Sequence, residues 1–211
     1  PQALLLDEPL SALDPRTRAA ASRELRGVLR EAGVPSILVT HNFAEAAAFG
    51  DRVAVLDAGR VVQHGTPAAL AATPASAFVA DFAGAVVLTG TVRSGTDAGA
   101  TVVDLDGGGT VSSTDAGEGR VAASVFPWEI VLEPTGDDER VHEARPTSAR
   151  NRLDATIISV TVVGGRARIG LAAGQPLVAE ISEASVSQLG LQPGDRVSAT
   201  WKAAATRLVL A

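Results

Sequence analysis

The stretch Ala3-Leu4-Leu5-Leu6-Asp7-Glu8-Pro9-Leu10-Ser11-Ala12-Leu13-Asp14 decides how the N-terminal part of the chain folds. Apolar residues that end in two adjacent carboxylates predict a buried strand of a parallel sheet. Open α/β sheets bind ligands beyond the carboxyl ends of their strands, so Asp7 and Glu8 are expected at such an edge. Mg²⁺ prefers oxygen ligands and keeps much of its hydration shell, which makes Asp7 a candidate ligand acting through water. Glu8 could orient a water for attack on a phosphoryl group, although a solvated strand end carries the same residues.

A helix and a second strand follow. Asp14-Pro15 predicts the helix start, because Asp caps helices and Pro suits the first helical position. Residues 36–40 predict the second buried strand, with His41 at its tip. A lone histidine after a strand is most often a capping or surface residue. Asn42 and Glu45 then predict the next helix start, as a variant of the capping box.

Two of these segments resemble motifs of one family. The run from Leu4 to Asp14 resembles the Walker B strand and D-loop of ABC transporter ATPases, and Val39-Thr40-His41 resembles their H-loop. The resemblance implies that Glu8 is the catalytic base and that His41 contacts the γ-phosphate and helps to hold the attacking water. It also implies binding of ATP and Mg²⁺, with Asp7 as the Mg²⁺-associated acid and a D-loop that meets the opposing subunit across the nucleotide; the implied ATP-binding residues are Asp7, Ser11 and Asp14.

Composition limits the class of protein. The chain has 211 residues, of which 46% are hydrophobic but only 3% aromatic, so its core must be aliphatic. No apolar run approaches the roughly 18 residues of a membrane-spanning helix, and no signal peptide is recognisable. Without cysteine there is no disulfide framework and no thiolate metal site. The net charge of −6 argues against nucleic-acid binding. We therefore expect a cytosolic protein.

Other absences suggest a piece of a longer protein. The chain contains no methionine, and Pro1 lies almost directly before a predicted sheet strand. Neither a Gly-x-x-x-x-Gly-Lys-Ser/Thr phosphate loop nor the Leu-Ser-Gly-Gly-Gln signature of the ABC family occurs. We expect this piece to be inactive as an ATPase by itself.

The first predicted domain covers residues 1–84. Residues 51–63 predict a β-hairpin with a glycine turn, and Thr66-Pro67 predicts another helix start. The helical segment up to Gly84 resembles the end of the ATPase domain in importers of the sugar, polyamine, sulfate and molybdate group.

The remainder is predicted to be all-β. Short Val-rich strands and Gly-rich turns recur in the same order twice, first in Leu88–Val92, Thr101–Leu105 and Gly119–Val125, then in Leu153–Ile157, Ala167–Leu171 and Asp195–Trp201. This repeat predicts paired OB-like barrels. The predicted fold class is thus α/β followed by all-β OB-like tandem barrels. The barrel halves are residues 85–145, ending in a polar linker at 136–145, and residues 146–211.

Both halves resemble domains that follow importer ATPases. Val125–Ile130 resembles a TOBE-domain segment, with Phe126 in place of the usual arginine. Residues 147–153, 177–194 and 197–203 resemble, in order, molybdate-binding (molbindin-type) domains. This second resemblance implies an oxyanion site formed by Ser148, Ala149, Arg150, Asn151, Ser182, Ser185, Lys202 and Ala203.

Charge supports an anion site in the second half. Residues 147–211 carry seven basic and four acidic side chains, a balance of +3, which leaves −9 on the rest. Lys202 is the only lysine among eighteen basic residues, and an ammonium group fits compactly among tetrahedral oxygens. The ordinary explanation of Lys202 is a solvated lysine at a strand end.

Together, the resemblances imply the ATP-hydrolysing subunit of an ABC importer, most simply one for molybdate or tungstate. It would form a homodimer around two ATP molecules, dock on a membrane permease at the cytoplasmic face of the membrane, and sense the oxyanion through its C-terminal domain. One alternative is an importer ATPase for sulfate, ferric iron or polyamine with a purely structural TOBE domain. Another, of a different class, is a stand-alone molybdate-binding or storage protein.

Overall fold

The computed structural model describes residues 1–97, 99–135 and 148–211, which form two compact units, Pro1–Pro74 and Ala75–Ala211. The sequence predicted the first boundary near Gly84, ten residues later. The short helix before Gly84 therefore belongs with the strands that follow it. The predicted linker at 136–145 and the boundary at 145/146 lie outside the described residues.

The first unit contains two small sheets and three helices. Its elements are β1 (Leu4–Asp7), α1 (Pro15–Ala32), β2 (Ser36–Val39), α2 (Phe43–Phe49), β3 (Val53–Asp57), β4 (Arg60–Gly65) and α3 (Pro67–Ala72). β1 pairs with β2 in parallel, and β3 pairs with β4 as an antiparallel hairpin. The helix starts are capped by side chains: Asp14 accepts from the Thr17 N–H, Asn42 from that of Glu45 and Thr66 from that of Ala69.

The prediction that β1 and β2 are buried is wrong. Leu5 is 77% exposed, Ile37 63% and Val39 53%. Parallel strands are buried when neighbouring strands and helices cover both faces. In the described parts of the chain β1 and β2 pair only with each other, so one apolar face stays open to solvent.

The second unit begins with α4 (Ala77–Phe82) and continues as ten strands. They are β5 (Val86–Asp97), β6 (Ala100–Leu105), β7 (Thr110–Ser113), β8 (Arg120–Val125), β9 (Val131–Pro134), β10 (Asn151–Val163), β11 (Arg166–Ala173), β12 (Gln175–Ser182), β13 (Arg196–Trp201) and β14 (Arg207–Leu210). A helix, α5 (Glu183–Leu189), lies between β12 and β13, and 3₁₀ turns precede β9 and β14 at Pro127–Glu129 and Ala203–Ala205.

These strands form two antiparallel sheets of five that exchange their outer strands. The orders are β12-β11-β10-β13-β9 and β7-β6-β5-β8-β14. The predicted repeat is present in this strand order. The exchange was not predicted: β9, from the first repeat, completes the second sheet, and β14, from the second repeat, completes the first.

One aliphatic core joins both sheets. Leu88 and Val103 of the first sheet and Ile157, Ile169 and the Trp201 ring of the second belong to a single buried cluster. The β6–β7 and β11–β12 turns also meet, since a Cβ added at Gly174 would lie 2.0 Å from the Gly107 carbonyl oxygen. Both turns therefore require glycine here, and the two repeats fold as one interlocked body.

Candidate functional site

The parallel pairing of β1 and β2 brings Glu8 and His41 together. Asp7 is opposite Val39, and the Glu8 N–H donates to the Val39 carbonyl at 2.9 Å. The two strands therefore end side by side. His41 Nδ1 lies 2.8 Å from Glu8 Oε1. An ionised carboxylate only accepts, so this contact places a proton on Nδ1. The His41 side chain is 76% exposed and that of Glu8 40%, which leaves both accessible to a ligand.

Glu8 has an uncommon backbone conformation. Its φ of 43° lies in the left-handed region, where residues other than glycine are strained by about 1–3 kcal/mol. The Ser11 N–H and hydroxyl hold this conformation by donating to the Glu8 carbonyl at 3.1 and 2.9 Å. Such strain persists where the surroundings fix it, and it tends to cluster at functional sites. Ser11 thus positions the backbone of Glu8.

Arg18 holds the loop from Ser11 to Asp14. Its Nη2 donates to the Leu13 carbonyl at 2.8 Å and to the Ser11 carbonyl at 3.4 Å, while its buried Nε has no partner. Sequence reasoning did not select Arg18. The available signal was its place in the first turn of α1, where side chains point toward the helix N-terminus and the preceding loop.

Around these groups lies a small polar cleft that is partly open to solvent; it is lined by Glu8, Ser11, Arg18, Thr40, His41, Asn42 and Glu45. The Thr40 hydroxyl donates to Glu45 Oε2 at 2.8 Å and accepts from the Asn42 N–H at 3.1 Å. Glu45 was expected to complete a capping box by reaching back to the Asn42 backbone. It binds Thr40 instead, and thereby fixes the segment that carries His41.

The donor set at this edge fits a weakly held Mg²⁺. Asp7 is exposed at the end of β1. Across residues 1–97, 99–135 and 148–211, no three acidic or histidine side chains are grouped closely enough to hold a metal ion by themselves. Mg²⁺ in phosphoryl-transfer sites is bound by one or two carboxylates together with waters and substrate phosphates. A single exposed Asp7 is consistent with that mode of binding.

In the second unit, part of the predicted oxyanion set comes together. Asn151 at the start of β10 is opposite Trp201 at the end of β13, so Arg150 and Lys202 leave the sheet from neighbouring strand ends. Both side chains are exposed, whereas Ala203 is buried. Ser148 and Ala149 directly precede Arg150. This end of the sheet can therefore present two positive charges to an anion.

Asn151 has a structural role in this arrangement. It is 1% exposed, its Oδ1 accepts from the Ser112 N–H at 2.6 Å, and its Nδ2 donates to the Ser112 carbonyl at 3.0 Å and to Thr206 Oγ1 at 2.9 Å. Trp201 Nε1 donates to the same Thr206 hydroxyl oxygen at 2.9 Å. The amide thus ties the second repeat to β7 of the first, and its part in oxyanion binding stays a prediction.

The structure does not bring Ser182 and Ser185 to that end. Ser182 caps α5 by accepting from the Ser185 N–H at 3.0 Å, and the two hydroxyl oxygens are 2.7 Å apart. Ser182 is opposite Arg166, which pairs with Val163 at the far end of β10. Twelve residue steps along β10, at about 3.3 Å each, give a path of roughly 40 Å from Asn151. One copy of the chain therefore separates the predicted oxyanion residues into two groups.

Comparison with known proteins gives similarity along nearly the whole chain. A sulfate/thiosulfate import ATP-binding protein of Chromobacterium violaceum is 37% identical over 98% of this chain and 54% of its own length. A molybdate/tungstate import ATP-binding protein of Pyrococcus abyssi is 32% identical over 99% of this chain and 57% of its own length. Other relatives are import ATP-binding proteins for spermidine/putrescine or Fe(3+) ions. The chain spans about half the length of the curated relatives it matches.

A solved structure resembles the β-rich part. The molybdate-bound cytoplasmic molybdate-binding protein ModG matches with a TM-score of 0.50 and 25% identity, over 60% of this chain and 96% of that protein. Within the described parts of the chain, no helix has the length and apolarity needed to cross a bilayer. The TOBE-domain family model matches residues 147–208, and nearly the whole chain is similar in sequence to import ATP-binding proteins.

Proposed function

We propose that the chain belongs to the ATP-hydrolysing subunit of an ABC importer. The observation that carries the proposal is the 2.8 Å contact between Glu8 and His41 at the ends of two adjacent parallel strands. A general base needs an accessible carboxylate, and a neighbouring histidine that donates to it fixes its orientation. Homology to import ATP-binding proteins supports the same activity.

In this proposal each predicted residue of the ATP site has one task. ATP with Mg²⁺ supplies, when bound, the phosphoryl group and the cation that neutralises its charge, with Asp7 as the water-mediated Mg²⁺ ligand. Glu8 accepts a proton from the attacking water through the oxygen that His41 does not occupy. His41 donates from its Nδ1–H to the Glu8 carboxylate, and its Nε2 contacts the phosphate. Ser11 and Asp14 form the loop that faces a second subunit.

We further propose molybdate or tungstate as the cargo, sensed by the second unit. Lys202 and Arg150 provide positive charge at one strand end, on a repeat whose balance is +3. A tetrahedral dianion needs several convergent donors of this kind. The fold similarity to a molybdate-binding protein and the homology to a molybdate/tungstate import protein support this choice.

The same proposal implies two kinds of partner, a second copy of the chain and membrane permease subunits. Because one copy separates Ser182 and Ser185 from Lys202, a homodimer in which a second copy supplies the missing group would assemble a fuller site. The subunit would also dock on membrane permease subunits and act in the cytoplasm, at the inner face of the membrane, without nucleic acid.

Two alternatives have specific support. The sulfate/thiosulfate import relative, at 37% identity, favours an importer ATPase for another cargo, including ferric iron or polyamine, with a structural TOBE domain. The likeness to ModG favours a stand-alone molybdate-binding or storage protein. The second alternative leaves the Glu8–His41 contact without a function.

The decisive experiment uses a protein that carries this chain together with a phosphate loop. Glu8→Gln should retain ATP binding and lower turnover by about 10²–10⁴-fold, the usual cost of losing a general base. Glu31→Gln, an exposed glutamate at the end of α1, is the matched control and should turn over normally. Wild-type turnover by Glu8→Gln would refute the assignment. ATPase activity that responds to molybdate or tungstate, but not to sulfate or spermidine, would select the cargo.

A further inference from the structure

The two repeats of the second unit correspond residue by residue. In the first repeat Val86 is opposite Val125 and Thr91 is opposite Arg120. In the second repeat Asn151 is opposite Trp201 and Thr156 is opposite Arg196. Both pairs of strands keep the same five-residue spacing between these partners. This register makes Val86 the counterpart of Asn151, and Val125 the counterpart of Trp201.

The correspondence continues into the 3₁₀ turns that follow. Phe126 precedes the turn Pro127–Glu129 with φ −77° and ψ 142°. Lys202 precedes the turn Ala203–Ala205 with φ −76° and ψ 144°. Phe126 therefore occupies in the first repeat the position that Lys202 occupies in the second. We name Arg150, Asn151 and Lys202 the lysine end, and their counterparts Ala85, Val86 and Phe126 the phenylalanine end.

The two ends differ in chemistry although they share a backbone. The lysine end carries two cationic side chains and an amide. At the phenylalanine end all three are replaced by apolar side chains. The Phe126 ring also stacks on Trp128, with ring centroids 4.4 Å apart and planes 11° from parallel. Aromatic faces carry negative charge density, and burying an anion beside apolar groups without hydrogen bonds is costly.

The loop beside each end strengthens the contrast. The turn Pro127–Glu129 packs against β12, and the turn Ala203–Ala205 packs against β7. Glu129, within the first turn, adds an exposed carboxylate next to Trp128. The phenylalanine end thus combines a half-buried Phe126, an exposed Trp128 and a negative charge, and these features oppose an oxyanion.

We infer that each chain binds one oxyanion, at the lysine end, and that the phenylalanine end provides no second site because it lacks the cationic and amide side chains of its counterpart. This inference rests on the proposed oxyanion-sensing function. It makes the side chains at these two strand ends, rather than the backbone they share, the determinant of how many anions a chain takes up.

The test is a calorimetric titration of the intact chain with sodium molybdate, with far-UV circular dichroism to verify folding. We expect one equivalent per chain. Lys202→Ala should weaken that binding by at least about tenfold, the equivalent of losing a hydrogen bond to a charged group. Phe126→Ala is the matched control at the counterpart position and should leave both the stoichiometry and the affinity unchanged.

Two results would overturn the inference while leaving oxyanion binding intact: two equivalents in the wild type, or one equivalent of unchanged affinity in Lys202→Ala. A different result would refute the proposed sensing function itself, and the inference with it. In that case the heats of titration for molybdate and tungstate would not exceed those for sulfate, the control oxyanion, at the same concentrations.

Discussion

Replacing Asn151 by alanine tests the buried amide that links the two repeats. The change removes three hydrogen bonds, two to the Ser112 backbone and one to the Thr206 hydroxyl. Thr206 keeps its contact with Trp201 Nε1, so the groups left without partners are the N–H and the carbonyl of Ser112. Each buried group without a partner costs about 1–3 kcal/mol. Because Ser112 is half-buried and water replaces part of the loss, we expect the free energy of unfolding to fall by about 2–4 kcal/mol.

Trp201 offers a local probe for this measurement. The chain has two tryptophans, of which Trp201 is 2% exposed and Trp128 is 56% exposed. In a Trp128→Phe background, which keeps an aromatic ring against Phe126, fluorescence reports Trp201 alone. Urea unfolding followed by this signal gives the free energy of the second unit for the variant and its parent.

The control is Thr156→Ala, an exposed change on the same strand, β10. Surface substitutions of this kind usually lie within about 0.5 kcal/mol of the parent. If Asn151→Ala shifted the Trp201 transition no more than Thr156→Ala, the amide would not be a buried tether. Its hydrogen bonds to β7 would then contribute little to the free energy of unfolding.

Three further outcomes are expected. Ser182→Ala should cost about 1 kcal/mol of stability in the same urea assay, because the cap of α5 is lost; Ser187→Ala within α5 is the control, and equal effects would contradict the capping role. Arg18→Met should raise the protease sensitivity of the Ser11–Asp14 loop in limited proteolysis, since its two carbonyl contacts disappear, whereas an unchanged cleavage rate would contradict the role given to Arg18. The Arg120 guanidinium and the Thr89 hydroxyl hold the pKa of Asp106 below its usual value. The contribution of the ionised Asp106 carboxylate to stability is therefore present at neutral pH and is lost as the pH falls through the lowered pKa. The difference in urea midpoint between wild type and Asp106→Asn should disappear in acid, and a difference independent of pH would refute this.

Local signals in the sequence predicted the start of each helix in the first unit. Asp14, Asn42 and Thr66 all cap as expected, because a capping bond depends on residues only three positions apart. The burial of β1 could not be predicted in the same way. An apolar strand such as Leu4–Asp7 is buried only if other elements cover it, and in the described chain one face of the β1–β2 pair is open. The apolar composition of a strand shows that other elements must pack on it for burial, but it does not show that those elements are present.

In the candidate site, too, local sequence predicted which residues matter but not the contacts that depend on distant partners. The sequence pattern selected Glu8 and His41 separately, but their 2.8 Å contact depends on the register between β1 and β2, which no local pattern specifies. Asn151 shows the reverse case. The resemblance to molybdate-binding domains implied that it is a ligand for an oxyanion, whereas its partners in the structure, Ser112 and Thr206, lie 39 and 55 residues away along the chain. Polar residues at strand ends cannot be assigned to a ligand or to the fold without knowing those distant partners.

The strand exchange has a consequence for how oxyanion binding must be measured. The sequence of β14 has the same alternation whether it pairs with β13 of its own repeat or with β8 of the other, so the pattern alone suggests two separable barrels. In the structure β14 pairs with β8, and β13 receives β9 instead. A fragment containing only residues 147–211 would lose β9 from its sheet and leave β14 without a partner strand. It would also lose Ser112, and with it the bonds that hold Asn151 beside the lysine end. Failure of such a fragment to bind molybdate would therefore report a disrupted fold, and only the intact chain can test whether Lys202 holds an anion.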